Sequence, residues 1–140
     1  MSEEQILLGR VRARSGEVDY AVDLQAGKHR LVADEPAGHG GANAGPGPYT
    51  LLLSGLAACT AITLRMYAQR KGWKLAAVEV EAQIFRHGAE SHIDRSISLY
   101  GELDQAQTAR LLDVSEKTPV TLTLKGGVEV RTTLHPPGAA

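Results

Sequence analysis

The stretch "PYTLLLSGLAACTAITLRMYAQRKG", Pro48 to Gly72, decides the fold. Pro48 suits a first helical turn, where its missing N–H would have no partner anyway. Ala, Leu, Met, Arg and Gln carry the helix forward. Arg65, Arg70 and Lys71 complement the negative end of the helix dipole, and Gly72 is a stop signal. From Leu51 to Leu64 the side chains are apolar or small on every side. A helix that is apolar all round is expected to be buried all round. A chain of 140 residues has little with which to surround one, so a subunit interface is the expected cover. Gly55 gives a place to bend or to let another backbone approach.

Upstream, Glu35 to Pro48 is a Gly/Pro-rich loop, too long for a simple connector and of a kind that is often functional or mobile. It lacks the Gly-Lys-Ser/Thr ending of a phosphate loop and does not fit the dinucleotide fingerprint. Before it, Val18, Tyr20, Val22 and Leu24 alternate as in a strand, "AGK" (Ala26 to Lys28) reads as a hairpin turn, and "HRLVAD" returns. "QILLGRVRA" reads as a further strand. Downstream, "AAVEVEAQIF" alternates with Val78, Val80, Ala82 and Ile84 on one face. "HGAESH" is a turn, and "IDRSISLYG" is the partner strand. "LDQAQTARLLDVSEK" reads as a second helix with Asp104 as N-cap and Gln107 as its capping-box partner, ended or kinked at Pro119. "VEVRTTL" reads as a last strand. No repeat or boundary divides residues 1–140, so the expectation is a single α+β domain.

Fifteen Lys and Arg face sixteen Asp and Glu, interspersed, so no basic face points to nucleic acid. Aromatic residues are too few for a base-stacking platform. The beginning "MSEEQILLGR" is unlike a signal peptide. The solidly apolar part of the charge-free stretch, Pro36 to Leu64, falls short of the ~20 residues a membrane span needs. A soluble cytoplasmic protein without nucleic-acid or membrane partners is expected.

Cys59 is the only cysteine, so no internal disulfide forms, in keeping with a reducing compartment. Two readings stand side by side. A free cysteine packs as a small hydrophobe, or it is a nucleophile if a cation or helix N-terminus favours its thiolate. His29, His39, His87, His92 and His135 show no zinc spacing. His87 and His92 flank one turn with Glu90 and Asp94 nearby, but read more simply as a solvated hairpin. No metal and no cofactor are expected.

"GPGPYTLLLSGLAACTAITLRMYAQRKGW", with "HRLVADEP" before it and "LLDVSEKTPV" after it, resembles the OsmC/Ohr family of osmotically inducible and organic hydroperoxide resistance proteins, and its OsmC-like branch most. The resemblance implies strands packed around a long buried central helix in an intertwined homodimer. It also implies thiol peroxidase chemistry of the peroxiredoxin type. A cysteine in the long helix attacks a hydroperoxide and becomes a sulfenic acid. A second cysteine then resolves it as a disulfide, which a dithiol reduces.

Cys59 matches the first cysteine. Thr118 stands where the resolving cysteine would be, and reads as a neutral replacement in preference to a hydrogen-bonding group beside the thiol. The family's acidic side chain near the helix start is missing, and Tyr49 and Thr50 occupy that region. The family's activating arginine comes from the N-terminal strands, where Arg14 and Arg30 are near in sequence. The catalytic set is thus incomplete. The expected function is a thiol-dependent hydroperoxide reductase with Cys59 as peroxidatic nucleophile and an external thiol as reductant. The alternative is a non-catalytic dimer binding a small hydrophobic ligand.

Overall fold

The computed structural model describes residues 3–138. The chain packs as two compact units, the first ending at Ser54 and the second beginning at Gly55.

The first unit holds an antiparallel sheet of three strands in the order β1 (Arg12–Ser15), β2 (Val22–Ala26) and β3 (His29–Ala33). Ala26 pairs with His29 across the turn read from "AGK". Two strand expectations shrink. Val18 and Tyr20 alternate correctly but are exposed and lie in a bend, and pairing starts only at Val22. In "QILLGRVRA" only Arg12 and Ala13 pair, while Ile6, Leu7 and Leu8 are exposed. Alternation marks a face, but a strand also needs an edge to bond.

After β3 the glycine-rich segment is tied together by hydrogen bonds to one side chain. Asp34 is buried, and its carboxylate accepts the backbone N–H groups of Glu35 (2.8 Å), Ala42 (3.1 Å) and Ala44 (3.1 Å). A Cβ at Gly45 would lie 1.9 Å from the Val32 carbonyl oxygen, and one at Gly41 2.0 Å from that of Glu35. These glycines are there for close backbone approach.

Helix α1 runs from Pro48 to Lys71 with basic residues in its last turn, followed by Gly72 at φ 70°. The second unit contains its larger part. There β4 (Lys74–His87) and β5 (Glu90–Glu102) form a long hairpin, with Val78, Val80, Ala82 and Ile84 half-buried as the alternation requires. Helix α2 (Gln105–Ser115) carries the complete capping box of Asp104 and Gln107. Pro119 does not merely end that helix. It opens another, α3 (Pro119–Gly126), for which Thr118 is the N-cap.

One further expectation changes. Val128 to Leu134 is not a strand within the chain and pairs with neither sheet. Within the single chain α1 is buried along one side. Leu56, Thr60, Leu64 and Ala68 form one buried row at four-residue spacing, whereas Ile62 and Met66 are 58% and 47% exposed. By length and composition alone α1 is long and apolar enough to cross a membrane, a test that the core helix of a soluble protein also passes. Its Ser and Thr hydroxyls bond carbonyls one turn back, as Ser54 does to Thr50 and Thr60 to Leu56.

Candidate functional site

Cys59 lies in the middle of α1, half-buried, with its Sγ 3.9 Å from Thr63 Oγ1 one turn on. Thr60, the next residue, points from the buried row. Its hydroxyl donates to the Leu56 carbonyl at 2.7 Å and accepts from Arg95 Nη1 at 2.9 Å.

Arg95 reaches that position by strand alternation. Ile93, Arg95, Ile97 and Leu99 face one way on β5, so a guanidinium stands among apolar neighbours on the covered face. Its cross-strand partner is Ala82, small enough to leave it room. Only 11% of the Arg95 side chain is exposed. Besides Thr60 it donates from Nη1 to Thr121 Oγ1 at 2.9 Å, and from Nη2 to the Ser115 carbonyl at 3.0 Å. Its nearest recorded carboxylate oxygen is Glu116 Oε1 at 3.9 Å, and Glu116 is itself held by Lys125 at 2.7 Å. That lysine hydrogen bond is the main reason the Glu116 carboxyl stays below its usual range.

Thr118 has a structural role of its own, as the cap of α3. Its hydroxyl is fully buried, lies 2.6 Å from Thr121 Oγ1, and accepts the Thr121 backbone N–H at 3.3 Å. Ser115, Thr118 and Thr121 make a polar corner between α2 and α3, and Arg95 joins that corner to α1 beside Cys59. Among the described residues, no buried side-chain nitrogen or oxygen lacks a partner.

The structure thus brings the neighbour of Cys59 and the corner containing Thr118 onto one guanidinium nitrogen. Tyr49 and Thr50, in the first turn of α1, belong to the first unit, where Tyr49 is exposed and the Thr50 carbonyl accepts from Ser54. Arg14 and Arg30 lie on β1 and β3 of the same unit. In the second unit Arg65 is spent on the carbonyls of Leu75 and Ala76. Sequence reading missed Arg95, although an arginine between Ile93 and Ile97 in an alternating strand was a signal available to it.

At the hairpin tip the His87 and His92 rings stack at 5.2 Å with 3° between their planes. His92 also stacks on Phe85, and its Nε2 is 3.7 Å from Asp94 Oδ1. Parallel rings do not converge on a common ion, and no group of three or more metal-capable side chains occurs among the described residues. A cavity of about 360 Å³, mostly apolar, is lined by Leu64, Ile97, Leu99 and Leu111 together with Gln105 and Thr108 of α2.

Several solved structures share this architecture. An OsmC-like protein from Mycoplasma pneumoniae superposes with a TM-score of 0.74 at 21% identity, over 90% of each chain. An organic hydroperoxide resistance protein from Legionella pneumophila gives 0.65 at 18% identity, over 88% of this chain and 93% of the other. The organic hydroperoxide resistance protein OhrB of Bacillus subtilis gives 0.60 at 21% identity, over 89% and 96%. At such identities the likeness establishes the fold. No curated protein sequence matches. The profile of the family described as OsmC-like protein matches residues 38–133, which contain α1 with Cys59, the long hairpin with Arg95 and the α2–α3 corner. The chain belongs to the OsmC-like family.

Proposed function

We propose that this protein is a thiol-dependent reductase of organic hydroperoxides, working in the cytoplasm as a homodimer with Cys59 as its peroxidatic residue. The observation that carries the reading is the placement of the chain's only sulfur nucleophile. Cys59 is half-buried at mid-α1 in a chain of this family, one residue from a buried polar cluster. Redox and hydroperoxide-resistance proteins share the fold.

The cycle balances without a second cysteine. The Cys59 thiolate attacks the distal oxygen of ROOH, the O–O bond breaks, and the alkoxide leaves with a proton as ROH. Cys59 becomes a sulfenic acid. An external thiol attacks that sulfur, releases water and leaves a mixed disulfide. A second thiol then frees Cys59 and departs as the oxidised reductant. Thr118 has no sulfur with which to shorten this path, and its hydroxyl already caps α3. Tyr49 and Thr50 stand at the start of α1, the region in which the family carries an acidic group.

Three features support the homodimer. They are the exposed side of α1 (Leu52, Ile62, Met66), the exposed N-terminal Ile6, Leu7 and Leu8, and the extended C-terminal Val128, Val130 and Leu134. Apolar surface on this scale favours a partner. The decisive experiment is hydroperoxide consumption with a dithiol reductant. The native protein should turn over and Cys59→Ser should not. Equal rates in both would end this reading.

A second reading has its own observation. The Cys59 sulfur lies near the Thr63 hydroxyl, while Arg65 on α1 is committed to carbonyls, Arg95 to hydroxyls and a carbonyl, and Arg110 to the Tyr67 hydroxyl. With the apolar cavity that α2 helps to line, this favours a non-catalytic protein that binds a small hydrophobic ligand. Saturable binding of a medium-chain alcohol by a protein inert to hydroperoxide would select it.

A further inference from the structure

We infer that Arg95 is a positioning residue for Cys59, holding the turn of α1 that carries the sulfur against the α2–α3 corner that contains Thr118. The inference rests on the thiol-chemistry reading for its function, but the placement it asserts is tested separately.

A buried guanidinium costs several kcal/mol unless charge pairing and hydrogen bonds offset it. Here charge pairing is weak. The Glu116 oxygen is 3.9 Å away, and its carboxylate is bound more closely by Lys125. What Arg95 has instead is three directional bonds to three different helices: Thr60 on α1, Ser115 at the end of α2, and Thr121 on α3. An apolar side chain between Ile93 and Ile97 would fill the same space without that cost. It would leave α1 free to rotate or slide by fractions of an ångström, because apolar contacts carry little direction. A planar guanidinium with fixed donors does not allow this.

The rotation matters because of sequence order. Thr60 follows Cys59 directly in one continuous helix, so fixing the Thr60 hydroxyl fixes the direction in which the sulfur leaves α1. The same nitrogen fixes Thr121, whose hydroxyl shares a 2.6 Å hydrogen bond with Thr118. Placement errors of about 1 Å at a reacting atom cost up to about a hundredfold in rate.

The test has two arms. In the first, Thr118→Cys gives the chain a second thiol, and disulfide formation with Cys59 under oxidised glutathione measures how well the two positions face each other. Adding Arg95→Met should slow that step about tenfold or more, and Arg95→Lys, which keeps a charged donor, should recover most of it. In the second, the single-cysteine protein reacts with cumene hydroperoxide and, separately, with iodoacetamide. Arg95→Met should lower the ratio of the two rates about tenfold, with rescue by Arg95→Lys, since alkylation tolerates loose placement. Should Arg95→Met not fold, Thr60→Val removes only the α1 end of the tie and should shift both measures the same way.

A folded Thr118→Cys protein that forms no disulfide with Arg95 present would overturn the inference. So would an Arg95→Met protein whose disulfide rate and rate ratio are unchanged, or one in which both reagents slow or speed equally. Failure of the native protein to react with hydroperoxide would defeat the thiol-reductase reading alone, and the disulfide arm would still decide the role of Arg95.

Discussion

Asp34 ties a glycine-rich segment together with one carboxylate. Three backbone N–H groups point at it, and that of Ala44 does most to hold the carboxyl below its ordinary value of 3.8, with Glu35 and Ala42 adding and burial opposing. A folded-state value below the unfolded one gives stabilisation that is complete above the ordinary value and lost as pH falls through the lower one. Protection of the Ala42 and Ala44 amides, relative to their unfolded exchange rates, should therefore hold down to about pH 4 and fall below it, and Asp34→Asn should lower it already at neutral pH. Slow exchange at those amides in the variant would contradict this. The carboxylate was legible in sequence only as part of "HRLVADEP"; nothing in the local pattern says which amides fold back onto it. Arg95 is the opposite case. Its place between Ile93 and Ile97 announced an inward-facing charge, but its partners on α1, α2 and α3 are distant in sequence, and only the fold brings them together.

Helix α1 and the long hairpin were readable because periodicity, caps and turn residues agree along their whole length. Pro48 to Lys71 and the Asp104–Gln107 capping box follow from local chemistry. Helix α3 was not readable, because a proline after a helix is equally an end or a beginning. Thr118 decides between them by supplying a side-chain cap with Pro119 in the first turn. Removing that hydroxyl while keeping the shape, as in Thr118→Val, loses the cap and leaves Thr121 short of a partner. Urea denaturation should show a loss of about 1–3 kcal/mol. A change under a few tenths would mean that the cap carries no weight. In the first unit Gly45→Ala places a methyl carbon 1.9 Å from the Val32 carbonyl oxygen, so the backbone must move. The variant should lose stability, with the protection of the Ala42 and Ala44 amides reduced. An unchanged exchange pattern would show that the loop has slack.

At the scale of the whole molecule, α1 has two kinds of apolar residue that sequence alone could not separate. Leu56 belongs to the row buried within the chain, and Ile62 is 58% exposed. Leu56→Asp puts an unpaired charge into the core and should abolish folded protein. Ile62→Asp should leave the chain folded but, if a second copy covers that side, reduce it to monomers in light scattering. A native protein that is itself monomeric and well folded would remove the homodimer. Val128 to Leu134 alternates like a strand in sequence yet is unpaired here, because alternation sets a face and does not supply a hydrogen-bonding partner. Central to all of this is the chemistry of one sulfur. The direct measurement is the intact mass of the native protein after a modest excess of organic hydroperoxide, with and without a sulfenic-acid trap. Oxygen should add at Cys59, the trap should capture that species, and no internal disulfide should form. A mass unchanged by hydroperoxide, with Cys59 still titrating as a free thiol, would contradict it.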